Sequence, residues 1–218
     1  ELQQAEELGR EVEAWLAKPA QPLASARRAA AMNVDGKPDE WTAIPWTPFG
    51  RGPAQAKWQW DDRNLYILLA VTDPALERSP VLMRTPHCYT GDHVDLFLTL
   101  LPASADRPYG PADTHVSVDL SGNVELHHQN PRIRGDEPSY KSRRSRLSAA
   151  SVASTPNGYL MELALSHEDT WLNATPGALI ACSIVVTDHG ERQMLLRPSR
   201  VLGYQAVQPT WPRIELSP

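Results

Sequence analysis

The sequence has little cysteine and no long apolar run, and both absences exclude classes of protein. Its 218 residues include 2 cysteines, which are too few for a disulfide framework and lack the spacing of a metal site. Cys182 lies in an apolar stretch, which favours a buried, inert thiol. A disulfide to Cys88 is the alternative and requires an oxidising compartment. No apolar run of about 18 residues exists, so we predict no membrane span within this chain.

Strong charge and catalytic motifs are also missing. The formal net charge is −5 with both signs interspersed, so no overall field favours nucleic acid or an anionic membrane. There is no nucleophile elbow, phosphate loop, HExxH motif or zinc cysteine set. Asp92 and Asp95 are a candidate glycosidase pair, but nothing in the sequence predicts the closed site that such a pair needs. We therefore predict that the protein is not an enzyme.

What the chain does contain is turn-forming proline and aromatics with polar groups. It has 20 Pro, and 7 Trp and 6 Tyr against 2 Phe, a composition typical of many turns and of wet binding surfaces as well as cores. Apolar residues at three- and four-residue steps predict an amphipathic α-helix over residues 1–18. Residues 19–31, rich in Ala, Pro and Arg, predict a linker or a connector that lies along the protein surface. We place the domain boundary near Met32, giving 1–31 as helix plus linker and 32–218 as one domain.

The remaining pattern predicts an all-β domain. We expect about nine strands, over residues 56–60, 64–73, 89–101, 114–120, 124–128, 158–165, 178–188, 192–196 and 211–216. Residues 129–146 are predicted to be a loop. Residues 38–41 and 166–172 are predicted to form short helical turns, the second capped by Ser166. Without helices long enough for parallel crossovers, we predict an antiparallel two-sheet β-sandwich of jelly-roll or immunoglobulin type, preceded by the N-terminal α-helix.

Residues 89–101 form the predicted functional centre. Because strand side chains alternate, Val94 and Leu96 point to one face while His93 and Asp95 point to the other. A carboxylate and an imidazole in mid-sheet, close to the turn residue Tyr89, predict a ligand site. The alternative is that both polar side chains simply face solvent.

Six short segments suggest a family. VDGKPDEW (34–41), WDDRNLY (60–66), VTDP (71–74), DHVDLF (92–97), GYLME (158–162) and IVVTD (184–188) follow one another in the chain. In this order they resemble the family 9 carbohydrate-binding modules, which are related to the DOMON-type domains. The resemblance implies a sandwich in which two aromatic side chains hold a sugar while carboxylates and amides bind its hydroxyls.

The resemblance also implies individual roles. Tyr89 is similar to the first stacking aromatic, and Asp73 and Asp95 to the acidic acceptors of sugar hydroxyls. Asp92, in the same motif as Asp95, is a further candidate ligand-binding residue. The family's binding arginine and glutamine are replaced, in this sequence, by Ser117 and Val185.

The second stacking position of the family is also altered. It falls at Arg197 or Pro198 instead of tryptophan. Tyr204 and Trp211 are candidate replacement aromatics, and Arg197 can stack on a sugar or pair with an acidic one.

Two functions remain open from the sequence. The first is an extracytoplasmic, periplasmic or secreted module that binds a polysaccharide, an oligosaccharide or another small ligand. The alternative is a sensor domain of a membrane-bound signalling protein, such as a histidine kinase, with a degenerate sugar site.

Metal binding has weaker support in the sequence. Asp35, Asp39 and Asp188 are candidate calcium ligands, although turn chemistry explains the Asp-rich turn equally well. His127 and His128 point to opposite faces of a strand and cannot share one ion, so we expect exposed imidazoles.

Overall fold

The part of the chain that the structure describes is built almost entirely from strands. The computed structural model describes residues 23–27, 32–48, 54–73, 75–76, 91–101, 114–129, 140–172, 174–188, 191–194 and 213–217. The predicted helix over residues 1–18 lies outside these ranges. Among the residues inside them, no helix has the length and apolar character needed to cross a membrane.

The described residues form thirteen strands and two short helical turns. The strands are β1 Leu23–Arg27, β2 Thr47–Pro48, β3 Ala54–Trp60, β4 Asn64–Thr72, β5 His93–Leu101, β6 Thr114–Asp119, β7 Val124–Gln129, β8 Tyr140–Arg144, β9 Ala149–Thr155, β10 Gly158–Ser166, β11 Leu179–Asp188, β12 Glu191–Met194 and β13 Arg213–Leu216. A 3₁₀ turn spans Asp39–Trp41, and helix α1 spans His167–Thr170. Each of the nine predicted strands is confirmed within the described residues, as are both predicted helical turns; residues 89–90, 195–196 and 211–212 of the predicted strands lie outside them.

The strands form two sheets. Sheet A has the order β8-β7-β6-β5-β11-β13, with β12 also paired to β11. Sheet B has the order β3-β4-β10-β9, with β2 paired to β3. These neighbours are all antiparallel, so the predicted antiparallel sandwich is confirmed.

Strand β1 links the two sheets. Its residues 23–25 pair in parallel with β13 of sheet A, and its residues 26–27 pair in parallel with β3 of sheet B. A strand that changes sheets makes a corner of a sandwich. Leu23–Arg27, within the connecting segment predicted over residues 19–31, is therefore a strand, because pairing with β13 and β3 overrides an Ala- and Arg-rich sequence with no apolar alternation. The division of the chain near Met32 stays a prediction.

The core between the sheets follows from alternation. Every second side chain of β5, β6 and β11 in sheet A, and of β4 and β10 in sheet B, enters one apolar cluster. Representative members are Leu96, Val116, Ile184, Ile67 and Leu163. Strand β4 lies between β3 and β10 and is buried on both faces, which explains its continuous apolar sequence.

The outer face of sheet B is covered by the segment 32–46. Its Met32 and Trp41 pack with Tyr66, Leu68 and Ala164 of the sheet in a second apolar cluster. This segment therefore seals one outer face of the sandwich.

Glu162 of β10 ties that segment to the sheet. One carboxylate oxygen accepts hydrogen bonds from the amides of Asp35 and Gly36 at 3.0 and 2.9 Å, and the other accepts from Trp41 Nε1 at 2.8 Å. Gly36 has φ +81°, and a Cβ there would lie 3.0 Å from Ser151 Oγ, so the turn requires glycine.

Lys57 of β3 completes the attachment. Its ammonium donates to the Trp41 carbonyl at 2.7 Å and lies 4.7 Å from the centroid of a Trp46 ring. Burial lowers the pKa of Lys57, because the charged ammonium loses hydration. The charged groups of Glu162 and Lys57 beneath this segment thus both have hydrogen-bond partners in it.

Sequence reasoning missed several strands at the sheet edges. β8 lies inside the predicted loop 129–146, and β9 was not predicted. Among the strands of the described residues, β8 pairs only with β7 at one end of sheet A, and β9 pairs only with β10 at one end of sheet B. Edge strands tolerate charged and small side chains because fewer of their side chains must pack, so neither sequence shows the apolar pattern of a strand.

We expect Glu162→Ala to lower the free energy of unfolding by about 3 kcal/mol or more, since it leaves two buried donors, the Gly36 amide and Trp41 Nε1, and the part-buried Asp35 amide without an acceptor. Urea unfolding measures the change. Glu168→Ala, which removes an exposed carboxylate, is the control and should shift stability by about 0.5 kcal/mol at most. Equal effects of the two substitutions would contradict the anchoring role of Glu162.

Candidate functional site

The outer face of sheet A gathers polar side chains around the middle of β5. Asp95 lies opposite Ser117 of β6 on one side and opposite Val185 of β11 on the other. Two residues along each strand, His93 lies opposite Thr187 and Phe97 lies opposite Ser183 and His115. Opposed residues in a ladder share a face. The face also includes His127 of β7, which pairs with His115.

This face is buried although it lies opposite the core. His93 is 2% exposed, Asp95 is 4% exposed and His127 is 8% exposed. The expectation of an exposed imidazole at His127 is therefore wrong, as is the alternative that His93 and Asp95 face solvent. Alternation identifies the face of a side chain but not what covers that face. His115, with 15% of its side chain exposed, keeps contact with solvent.

The carboxylate of Asp95 is the centre of a hydrogen-bond network. Ser117 Oγ donates to Oδ1 at 2.6 Å, and His115 Nε2 lies 2.9 Å from the same oxygen. His93 Nε2 lies 3.5 Å from Oδ2, which is longer than a good hydrogen bond. Oδ1 is thus well satisfied, whereas Oδ2 keeps accepting capacity.

Stacked rings hold this network in place. Phe97 stacks on His115 with ring centroids 4.3 Å apart, and His115 stacks on His127 at 4.4 Å. His127 Nε2 lies 3.0 Å from Ser117 Oγ. Since the Ser117 hydroxyl gives its proton to Asp95, its oxygen accepts from His127. Each group that supports Asp95 is itself fixed by a neighbour.

Asp95 is ionised at neutral pH. Burial by itself raises the pKa of the carboxyl, but the hydrogen bonds from His115 and Ser117 and the nearby imidazole of His93 outweigh that effect and hold the pKa well below its usual range. A general acid needs the opposite shift. The environment of Asp95 therefore suits a permanent hydrogen-bond acceptor better than a proton donor.

Two hydroxyls on the same face are unsatisfied. Ser183 Oγ and Thr187 Oγ1 are buried and have no hydrogen-bond partner within the part of the chain that the structure describes. Buried polar groups are usually paired. A face with an ionised acceptor and two unpaired hydroxyls has the chemistry to bind a polar ligand.

Only some of the predicted site residues can be placed. Asp73 follows β4 in sheet B, where Oδ1 accepts from the Ala75 amide at 2.9 Å and Oδ2 is buried without a partner among the described residues. Asp92 is fully buried just before β5. Tyr89 lies outside the described residues, so its convergence with Asp73 and Asp95 stays a prediction. Three more predicted residues also lie outside them: Arg197, Tyr204 and Trp211.

The calcium candidates do not form a common site in the described part of the chain. The two carboxylate oxygens of Asp35 are used by its own turn, through the Lys37 amide at 3.0 Å and the Lys37 ammonium at 2.9 Å. Asp39 is exposed in the 3₁₀ turn, while Asp188 ends β11 in sheet A. No three His, Cys, Asp or Glu side chains in the described ranges are placed to hold a metal ion. Turn chemistry accounts for Asp35.

Cys182 is a free, buried thiol, as the sequence predicts. Burial raises its pKa, because the thiolate would lose hydration. The inert thiol is therefore confirmed, and the alternative of a disulfide to Cys88 is wrong.

Sequence reasoning missed the residues that share this face with Asp95. His115, His127, Ser183 and Thr187 come from three other strands, and their position relative to Asp95 depends on the register of pairing. The alternation over residues 114–120 did place His115 and Ser117 on one face, which was the available signal. Register between distant strands has no comparable local signal.

The sequence profile of the family described as carbohydrate family 9 binding domain-like matches residues 39–203. The chain belongs to this family. The suspected resemblance is confirmed, and no curated protein matches the chain. The family is one of non-catalytic carbohydrate-binding modules.

Solved structures share the fold of this family member. It is similar to a family 9 carbohydrate-binding module from Caldicellulosiruptor kristjanssonii in complex with cellotriose, with 18% identity, a TM-score of 0.60 and coverage of 90% of this chain and 94% of that one. The glucose complex of a family 9 module from that organism gives 16% identity, a TM-score of 0.61 and coverage of 90% and 96%. A candidate carbohydrate-binding protein from Bacteroides uniformis gives 7% identity, a TM-score of 0.63 and coverage of 90% and 99%.

The stability of the domain should depend on the charge of Asp95. Its folded-state pKa lies below the unfolded value of about 3.9, so the ionised carboxylate stabilises the fold above that pH and the contribution is lost as the pH falls through the folded-state pKa. We expect the stability difference between the wild type and Asp95→Asn to be greatest at about pH 5 and above and to shrink towards lower pH. Urea midpoints measured across this range test it.

Val185→Ala is the matched control for this pH series. It removes a buried apolar side chain directly opposite Asp95 and should destabilise the domain by an amount that does not vary with pH. A pH-independent cost of Asp95→Asn would contradict the ionised network.

Proposed function

We propose that this domain is a non-catalytic carbohydrate-binding module whose site lies on the outer face of sheet A around Asp95. Membership of the family and the shared fold support the class of ligand. The observation that carries the location is the buried, ionised carboxylate of Asp95, which has accepting capacity on Oδ2. By contrast, the outer face of sheet B is filled by the segment 32–46.

The chemistry of Asp95 suits a sugar hydroxyl. Ser117 and His115 hold Oδ1, which fixes the plane of the carboxylate and aims Oδ2. Hydrogen bonds to a charged acceptor are stronger than neutral ones. A hydroxyl that reaches Oδ2 therefore meets an acceptor that is already oriented and needs no rearrangement.

Further contacts come from residues that the resemblance assigns. We propose that Tyr89, close to the start of β5, supplies a stacking face for the sugar ring, and that Asp73, with its unpaired Oδ2, accepts a second hydroxyl. Asp92, buried just before β5, is a further proposed ligand contact. Arg197, Tyr204 and Trp211 are proposed contacts on the opposite side of the sugar. The proposed ligand is an oligosaccharide or polysaccharide met outside the cytoplasm.

Access to the site requires a local opening. The side chains around Asp95 are almost completely buried, and solvent reaches the face at His115. A ligand can therefore reach Asp95 only if the groups that bury this carboxylate move. That cost reduces the net affinity, and we expect weak binding.

Calorimetry with glucose, cello-oligosaccharides and acidic saccharides tests the function. We expect the wild type to bind at least one of them and Asp95→Asn to weaken that binding by about tenfold or more, since it removes a hydrogen bond to a charged group. Tyr89→Ala should also weaken it, and adding EDTA should change nothing.

Asp62→Asn is the matched control, because it neutralises an exposed carboxylate in the β3–β4 turn, on the other sheet. It should bind like the wild type. Each variant's Tm establishes that it is folded. A folded wild type that binds none of these saccharides, on calorimetry or on a glycan array, would rule out the proposed function.

A further inference from the structure

The unpaired hydroxyls of β11 lie on either side of Asp95. Ser183 is opposite Phe97, Val185 is opposite Asp95, and Thr187 is opposite His93. Ser183 and Thr187 are four residues apart on one strand, so their positions differ by about 13 Å along it. Asp95 lies on the neighbouring strand β5, opposite Val185 at the midpoint between them. The distance between the two hydroxyl residues is longer than a single pyranose ring.

The hydroxyls of Ser183 and Thr187 lower the stability of the ligand-free protein. Both side chains are buried, at 0% and 4% exposure, and neither hydroxyl has a partner among the described residues. Burying a hydroxyl that has no hydrogen-bond partner destabilises the folded protein, because the hydroxyl loses its hydrogen bonds to water. Alanine or valine would fill these positions in a β-strand without that cost, as Val185 does between them.

We propose that Ser183 and Thr187 bind hydroxyl groups of an oligosaccharide that lies along β11 and spans at least two sugar units, with Asp95 at its middle. The inference rests on the proposed function of this face. It adds two contact residues and a ligand length. A hydroxyl side chain both donates and accepts, which complements sugar hydroxyls in either orientation.

The charge of the site selects among saccharides. Asp95 is buried and ionised, and a second carboxylate placed beside it in a region of low dielectric would be repelled. An uncharged oligosaccharide meets no such penalty. The ligand class is therefore a neutral oligosaccharide rather than an acidic one.

The experiment compares stability and affinity in Ser183→Ala, Thr187→Val and the double variant. Since the hydroxyls lack partners in the free protein, we expect Tm to stay the same or rise. Since they bind the ligand, cellotriose affinity should fall about fivefold for each hydroxyl removed. Calorimetry with glucose, cellotriose and glucuronic acid gives the affinities, and the wild type should prefer cellotriose.

Thr114→Val is the matched control. Thr114 is as deeply buried on β6 of the same sheet, but its hydroxyl donates to the Thr170 carbonyl at 2.7 Å. The same substitution there should lower Tm and leave cellotriose affinity unchanged. Opposite changes in Tm and in cellotriose affinity therefore distinguish a hydroxyl that binds the ligand from a hydroxyl that stabilises the fold.

The outcomes distinguish this inference from the function on which it rests. A wild type that binds no saccharide overturns both. Cellotriose binding that Ser183→Ala and Thr187→Val leave intact overturns the contact roles alone, as does a fall in Tm without a loss of affinity. Equal affinity for glucose and cellotriose overturns the proposed length, and preference for glucuronic acid overturns the neutral ligand.

Discussion

The register of β5 between β6 and β11 is the constraint on which the rest of the structure depends. It sends Leu96 into the core and Asp95 to the outer face, and it sets Asp95 beside Ser117 and Val185. A slip of one residue would bury the carboxylate among apolar side chains and expose the core positions. The pairing that makes the sandwich thus also makes the site, because a buried charge is tolerated only where donors surround it.

The two outer faces of the sandwich use buried carboxylates differently. Glu162 on sheet B meets three donors from the covering segment, so its buried charge fastens one part of the chain to another. Asp95 on sheet A is held mainly through one oxygen, and unpaired hydroxyls lie beside it. The first arrangement is complete in the free protein, whereas the second has polar capacity left for a ligand.

The sequence predicts strands well where apolar and polar side chains alternate. It predicts them less well where strand formation depends on pairing with other parts of the chain. Strands such as β4 and β5 carry a clear apolar pattern, and both were predicted. β8 and β9 pair at sheet edges with polar or small side chains, and β1 is held by two sheets at once. In each of those cases the pairing comes from other parts of the chain.

The same division applies to the site. The sequence of β5 by itself predicts the position of Asp95. The apolar residues of this strand alternate with polar ones, so the carboxylate must lie on the face opposite the core. His127 was expected to be exposed, and the hydroxyls of Ser183 and Thr187 were not recognised, because their role depends on cross-strand register and on burial of the whole face. Recognition of these residues as part of the site therefore required the three-dimensional arrangement.

Binding of a saccharide on the outer face of sheet A would change the environment of the backbone there. Backbone amide chemical shifts recorded by NMR during a titration with cellotriose test this binding most directly. We expect the largest changes on β5 and β11, at and around Asp95, Ser183 and Thr187, with little change in the segment 32–46 over sheet B. Saturable changes confined to that segment, with none on β5 or β11, would contradict it.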